Sequence, residues 1–225
     1  ADYKYEVTTN STGKVVYRSS NTAVAEPDQF GYITIKKAGS CTITARVAAD
    51  ANYKSASAGY QLVVSKKDMT KKKVKLSKTS YIYAGKNCKP KAVVSGLARS
   101  DYKVTYKNAD KPGTAICVIT GKGNYSGKIE VPYSINLAKT VITKITNKKS
   151  GVSLTWKKVA GAKGYRIYRR TKNGSWKRIR ELTSGKKVSF TDKTAKSGKT
   201  YEYRVRAKCN KTYGSYSKKI KLKKK

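Results

Sequence analysis

Apolar and polar residues alternate with period two along most of this chain, the mark of strands with one buried face. In residues 151–156, Val152, Leu154 and Trp156 share a phase. In residues 164–170, Tyr165 and Ile167 oppose Arg166, Tyr168 and Arg170. In residues 201–208, Tyr201, Tyr203, Val205 and Ala207 oppose Glu202, Arg204, Arg206 and Lys208. Cys41, Ile43 and Ala45 repeat the pattern near the start and are expected to face a core with Val24 and Ile35. Gly161, Asn173-Gly174, Ser184-Gly185 and Ser197-Gly198 punctuate the terminal runs. Asn173-Gly174 predicts a tight hairpin, because both central residues of that turn take positive φ. No stretch shows a helical period over 11 residues, so the whole chain reads as β.

The runs also repeat at longer range. Asn52-Tyr53 and Asn124-Tyr125 fall at corresponding places before the last strand of two successive blocks, which predicts two tandem related units. With the terminal runs this gives three modules, residues 1–66, 67–136 and 137–225, joined by short polar linkers at 65–75 and 135–140. The predicted fold class is all-β, three β-sandwiches in tandem.

Particular motifs resemble known families. Val152-Ser-Leu-Thr-Trp156, Gly164-Tyr-Arg-Ile-Tyr168, Lys199-Thr-Tyr-Glu-Tyr-Arg-Val-Arg-Ala207 and Tyr213-Gly-Ser-Tyr-Ser217 look like a fibronectin type III domain over about residues 138–223. The resemblance implies a two-sheet sandwich with Trp156 and Tyr165 in its core, and a Tyr201 hydroxyl bonded back to the chain. It implies a scaffold and no shared active site. Val15-Val-Tyr-Arg-Ser-Ser-Asn-Thr-Ala-Val-Ala25, Gly31-Tyr-Ile-Thr-Ile35 and Ala38-Gly-Ser-Cys-Thr-Ile-Thr-Ala45 are similar to bacterial Ig-like repeats, completed by Tyr60-Gln-Leu-Val-Val64. Val94-Ser-Gly-Leu97, Asp101-Tyr-Lys-Val-Thr-Tyr106 and Gly121-Lys-Gly-Asn-Tyr-Ser-Gly127 resemble a second such repeat, of the kind found in surface proteins of Gram-positive bacteria.

Composition narrows the chemistry. The chain has no His, which removes Ser-His, Cys-His and His-metal sites together. Its 12 acids form no marked pair; Asp101 and Asp110 are nearest to one and read as turn residues. Lys122-Gly-Asn-Tyr-Ser-Gly127 lacks the helix a phosphate loop needs. No catalytic residue, metal site or cofactor is expected. Cys41 and Cys209 are alone in their modules, whereas Cys88 and Cys117 share one. That pair reads either as two buried thiols or as a sheet-to-sheet disulfide, which an exported protein permits.

Charge points to a partner. Of the formal net charge of +40, residues 137–225 carry +26, with 29 Lys plus Arg against three acids, Glu181, Asp192 and Glu202. Such a field attracts anions and repels itself. Every Arg of this block lies on the third, fourth or sixth predicted strand, and all but Arg169 fall in the outward phase. One face should therefore collect Arg166, Tyr168, Arg170, Trp176, Arg178, Arg180, Arg204, Arg206, Lys208, Lys219 and Lys221. Arg suits planar phosphate, sulfate or carboxylate groups better than Lys does.

The expected function is a non-catalytic surface module that spaces its parent protein and binds a polyanion. The first candidates are anionic cell-wall polymers such as teichoic acid, or other acidic glycans. Alternatives are an adhesin for host sulfated glycans or a host protein, and an accessory or carbohydrate-binding region of a larger secreted enzyme. Nucleic acid should bind only non-specifically. The chain has no 18-residue apolar run, so membrane insertion is not expected. It is read as a monomeric piece of an exported, secreted or wall-associated protein.

Overall fold

The computed structural model describes residues 3–225. Among them strands dominate, and the helical structure is the 3₁₀ turn Arg99–Asp101, where the Asp101 carboxylate accepts the Ala98 N–H. The chain is an all-β protein of sandwich modules. By compactness it divides into two units, Ala1–Lys73 with Val93–Val104 and Ile119–Ile129, and Val74–Ala92 with Thr105–Val118 and Glu130–Lys225.

The opening stretch builds strands β1 (Tyr3–Lys4), β2 (Val15–Ser19), β3 (Ala25–Pro27), β4 (Tyr32–Ile35), β5 (Gly39–Val47) and β6 (Ala56–Val64). They form two three-stranded sheets, of order β1-β4-β3 and β2-β5-β6. The core between them holds Val24, Ala25, Ile33, Cys41 and Ile43. Ile33 takes the place expected of Ile35, which ends β4 and is 47% exposed. Ile35 pairs with Ala25, the first residue of β3, where the sheet no longer covers it.

The stretch expected to be a linker is structured. β7 (Lys67–Asp68) pairs in parallel with β13 (Tyr125–Ser126), Met69 is fully buried, and the Asn124 side chain accepts the Ala38 N–H. The chain then runs through β8 (Val74–Leu76), β9 (Ser80–Ile82), β10 (Ala92–Val94), β11 (Tyr102–Lys107), β12 (Gly113–Gly121) and β14 (Lys128–Asn136). These give sheets of order β10-β8 and β11-β12-β14-β9, in which β9 runs parallel to β14.

The terminal sandwich comprises β15 (Ile142–Lys148), β16 (Gly151–Trp156), β17 (Gly164–Thr171), β18 (Lys177–Leu182), β19 (Ser189–Asp192), β20 (Thr200–Cys209), β21 (Thr212–Tyr213) and β22 (Ile220–Lys223). One sheet has the order β15-β16-β19; the other has β18-β17-β20, with β21 and β22 both pairing β20. The core between them centres on Trp156, whose ring meets Tyr165 edge-on at 5.3 Å. Tyr165 accepts the Val159 N–H, and the Tyr201 hydroxyl accepts the Lys196 N–H. Leu137 belongs to this core, and the buried Thr140 hydroxyl accepts the Ala207 N–H, so this connection too is packed rather than free.

The β17–β18 connection departs from the sequence expectation. It spans residues 172–176, and neither Asn173 nor Gly174 has positive φ. A five-residue connection can turn through an ordinary right-handed bend, closed by Gly174 N–H to the Thr171 carbonyl, so it has no need of left-handed residues.

Candidate functional site

The pleat of β17 and β20 decides what the terminal sheet presents to solvent. Tyr165, Ile167, Tyr203, Val205 and Ala207 point inward and are completely buried. The intervening residues face out in register, Arg166 opposite Arg206, Tyr168 opposite Arg204 and Arg170 opposite Glu202. Each is only half-buried, so guanidinium groups and rings lie over one another on this face.

They form a continuous alternating stack. Arg170 lies 4.8 Å from the centre of the Trp176 ring, and Arg204 lies 4.3 Å from the same ring. Arg204 also sits 3.7 Å from Tyr216, which is 4.7 Å from Arg206. Arg206 then lies 4.3 Å from Tyr213, and Arg166 lies 4.6 Å from Tyr213. Tyr168 braces the middle, meeting Tyr216 edge-on at 5.3 Å and accepting a hydrogen bond from Arg206 Nη2. Burial pushes the Tyr168 phenol up, but hydrogen bonds from Tyr216 and Arg206 outweigh it and leave it below its ordinary value. Each ring face supplies partial negative charge to a neighbouring cation, worth about 0.5–2 kcal/mol per contact.

Carboxylates close both ends of the stack. Arg170 Nε binds Glu202 at 2.6 Å, and Lys219 reaches the same carboxylate at 3.1 Å. Arg166 Nε binds Glu181 at 2.7 Å, joined there by Arg178 at 3.1 Å and by Lys208. Hydrogen bonds from Lys208 and Arg166 hold Glu181 below the usual carboxylate range, and those from Arg170 and Lys219 do the same for Glu202. The two central cations differ. Among the described residues Arg204 and Arg206 have no acidic partner, and their buried Nε groups meet no hydrogen-bond acceptor.

The remaining predicted face residues are placed as follows. Trp176 lies just before β18 and inside the stack. Lys221 stands opposite Glu202 across β20 and β22. Arg178 pairs opposite Tyr168 and Arg180 opposite Ile167, with a bulge at Ile179 between them. The bulge shifts the phase of β18 by one residue. It puts Glu181 opposite Arg166 on the outer face and Arg180 in register with an inward residue, exposed at the sheet edge. Tyr213 and Tyr216, not among the predicted residues, supply two of the three rings of the stack. Three residues apart around β21, they leave no strand periodicity; the Tyr213-Gly-Ser-Tyr216 spacing is their only signal.

Arg169 is the exception in position and in partner. It turns away from the stack, binds Asp192 Oδ2 at 2.7 Å and covers the Tyr201 ring at 4.6 Å. Asp192 is 1% exposed and also accepts hydrogen bonds from Tyr203 and Thr194. Cys88 and Cys117 stand as separate buried thiols in place of the contemplated bridge, as do Cys41 and Cys209. Burial pushes both the Cys88 and Cys117 thiols up, which disfavours the reactive thiolate. Among the described residues no cluster of His, Cys, Asp or Glu could hold a metal ion, and no helix is long and apolar enough to cross a membrane.

The family model for the intimin immunoglobulin-like domain matches residues 8–50. No curated protein matches the chain. Solved structures that resemble it include pectate lyase PelI from Erwinia chrysanthemi in complex with tetragalacturonic acid, at 22% identity and a TM-score of 0.34. That match covers 38% of this chain and 28% of the enzyme's. Chicken CNTN1 domains FN1–FN3 match at 13% identity and a TM-score of 0.36, over 96% of this chain and 93% of that one. Titin domains A168–A170 match at 13% identity and a TM-score of 0.30, over 98% and 96% of the two chains.

Proposed function

We propose that this chain is a non-catalytic, extracellular spacer and attachment region. In this reading residues 1–66, 67–136 and 137–225 are three tandem modules of an exported protein, and the terminal one adheres to an anionic polymer of the cell wall. The observation that carries the reading is the centre of the stack. Arg204 and Arg206 lie between rings and, among the described residues, form no ion pair, while Arg166 and Arg170 already share carboxylates. An anion arriving at the two central guanidiniums has no internal carboxylate to displace. The intimin-type match within residues 8–50 supports the extracellular setting.

Retention of the full chain on immobilised lipoteichoic acid and on heparin tests this. Arg204→Ser with Arg206→Ser should remove most retention at physiological salt. Arg166→Ser with Arg170→Ser, and the loop pair Lys186→Ser with Lys187→Ser, remove the same charge and should cost much less. The central pair should also flatten the salt dependence by about 0.7–0.9 in log–log slope for each lost contact to a phosphate polymer. Equal losses for all three pairs would leave only a diffusely charged surface. Stronger retention on heparin than on lipoteichoic acid would move the ligand from wall polymer to sulfated glycan.

A further inference from the structure

The sheet β2-β5-β6 carries a cavity on its outer face. Cys41, Ile43, Ala45 and Val47 of β5 turn into the core and are buried, so Thr44 and Arg46 turn out. Arg46 stands opposite Val16 on β2 and Ser57 on β6, and Arg18 stands opposite Thr44. One row further, the Ala48 N–H donates to the Lys14 carbonyl. Over these rows lies a cavity of about 590 Å³, within the range of small-ligand sites. Its cations are Lys14, Arg18 and Arg46, and its hydroxyls are Thr44, Ser55 and Ser57. Long cationic side chains around short ones leave the hollow.

The charge of this cavity is concentrated and unshared. Residues 1–66 hold eight Lys plus Arg and five acids, and both of their Arg residues line it. Lys4 pairs with Glu6 and Lys36 with Glu26, away from the cavity. The side chains of Lys14, Arg18 and Arg46 make no ion pair, hydrogen bond or ring contact among the described residues, and no acid lines the cavity. Asp50, two residues past Ala48, is already occupied. Its carboxylate accepts the Ser11 hydroxyl and the Thr12 N–H at 2.7 Å each, the Asn52 N–H at 2.9 Å and the Tyr53 N–H at 2.8 Å. These bonds, that of Ser11 foremost, hold Asp50 well below the usual carboxylate range. They also tie the chain before Lys14 to the chain after Ala49. Four residues separate Lys14 from Arg18, about 13 Å of extended chain, and Arg46 lies between them one strand over.

We infer that this cavity is a binding site for a uronate-type sugar, a ring that carries one carboxylate among its hydroxyls. Arg18 and Arg46 offer planar forks that a carboxylate fills with paired hydrogen bonds. Thr44, Ser55 and Ser57 can each donate and accept, as a sugar hydroxyl requires. Val16 is 42% exposed and, with Ala48 and Ala49, gives the C–H face of a ring an apolar surface. A bare phosphate or sulfate ion would leave Val16 and most of these hydroxyls without a match. The site shares no residue with the stack of residues 137–225 and does not depend on it.

The test titrates the full, nitrogen-15-labelled chain with a hyaluronan tetrasaccharide, whose uronates carry carboxylates without sulfate or phosphate. At physiological salt, where screening shortens to about 8 Å, binding should be saturable, with amide shifts concentrated at residues 14–18, 44–49 and 55–57. The same shifts should appear in Arg204→Ser with Arg206→Ser, which removes the terminal site and so separates this inference from the reading above. Arg18→Ser with Arg46→Ser should weaken binding at those amides at least about tenfold, the worth of hydrogen bonds to charged groups. Lys37→Ser with Lys66→Ser removes the same charge from the same block and should weaken it less than about twofold. Both arginines are exposed, so their double variant should keep the parent's spectrum outside the cavity. Ser57→Ala, a milder change, should weaken binding about two- to tenfold. The methyl ester of the tetrasaccharide keeps the rings, loses the charge and should not bind. Shifts scattered over the whole surface, equal losses for the two double variants, or equal affinity for the methyl ester or for inorganic sulfate would each overturn the inference.

Discussion

Asp192→Asn is the sharpest perturbation of the terminal sandwich. Asp192 Oδ2 accepts hydrogen bonds from Arg169 Nη1 at 2.7 Å and from the Tyr203 hydroxyl at 2.8 Å. Oδ1 accepts from the Thr194 hydroxyl at 2.7 Å and the Thr194 N–H at 3.0 Å. An amide keeps the shape but turns one acceptor into a donor. Whichever way it flips, its NH₂ confronts either Arg169 and Tyr203 or the two donors of Thr194. Hydroxyls can rotate away; a guanidinium and a backbone N–H cannot. Breaking a buried ion pair costs about 3–5 kcal/mol. The Arg169 side chain is 21% exposed and partly rescued by water, so the lower end, about 3 kcal/mol, is expected. Urea denaturation followed by tryptophan fluorescence reads this block alone, since Trp156 and Trp176 both lie in it. With a urea m-value of about 1–3 kcal/mol/M, the midpoint should fall by about 1–3 M at pH 7. Acid gives a second arm. Burial raises the Asp192 carboxyl, but bonds from Thr194, Tyr203 and Arg169 outweigh this and depress it. A depressed carboxyl stabilises the fold fully above its unfolded value of about 3.9, and that contribution is lost as pH falls through the folded value. The gap between parent and variant should therefore close in strong acid. A midpoint shift below about 0.3 M at pH 7, or a gap as wide at pH 2 as at pH 7, would refute the assignment.

Three further outcomes are expected. Thiol labelling of the denatured chain without reductant should modify all four cysteines; two would restore the Cys88–Cys117 bridge. Tyr216→Ala removes the ring between Arg204 and Arg206 and should cost about 1–3 kcal/mol in the same urea assay, whereas Tyr216→Phe, which keeps the ring, should cost less. Gly161 has φ +73°, and an added Cβ would lie 2.6 Å from the Tyr83 ring. Gly161→Ala should therefore destabilise by about 1–3 kcal/mol, and combining it with Tyr83→Ala should recover only the part of that loss due to Tyr83, since Pro112 would still lie 2.7 Å from the added Cβ, as a double-mutant cycle would show.

What the sequence revealed and what it hid have one physical origin. Period-two alternation is a local property, so β17 and β20 could be read by phase; each carries its inward Tyr, Ile or Val between outward Arg. The same reasoning fails wherever the pleat is interrupted. On β18 the bulge at Ile179 inverts the phase, so an acid outside the predicted face, Glu181, becomes the carboxylate at one end of the stack, and Arg180 leaves it. Tyr213 and Tyr216 escaped because their positions follow from the turn and irregular chain around β21, which have no period. Asp192 escaped because its role depends on Arg169, 23 residues away, meeting it between strands of opposite sheets.

These misses change the chemistry as well as the list of residues. A face of uninterrupted cations would repel itself and bind any anion everywhere. On the observed face Glu181 and Glu202 tie up the cations at the two ends of the stack, leaving two neighbouring positions, Arg204 and Arg206, that have no carboxylate partner among the described residues. Self-repulsion between those two is offset by the Tyr216 ring held between them. A net charge of +40 attracts anions from a distance whatever its arrangement. Only a fixed pair of unpaired guanidiniums would let one part of that surface hold a polymer more strongly than the rest.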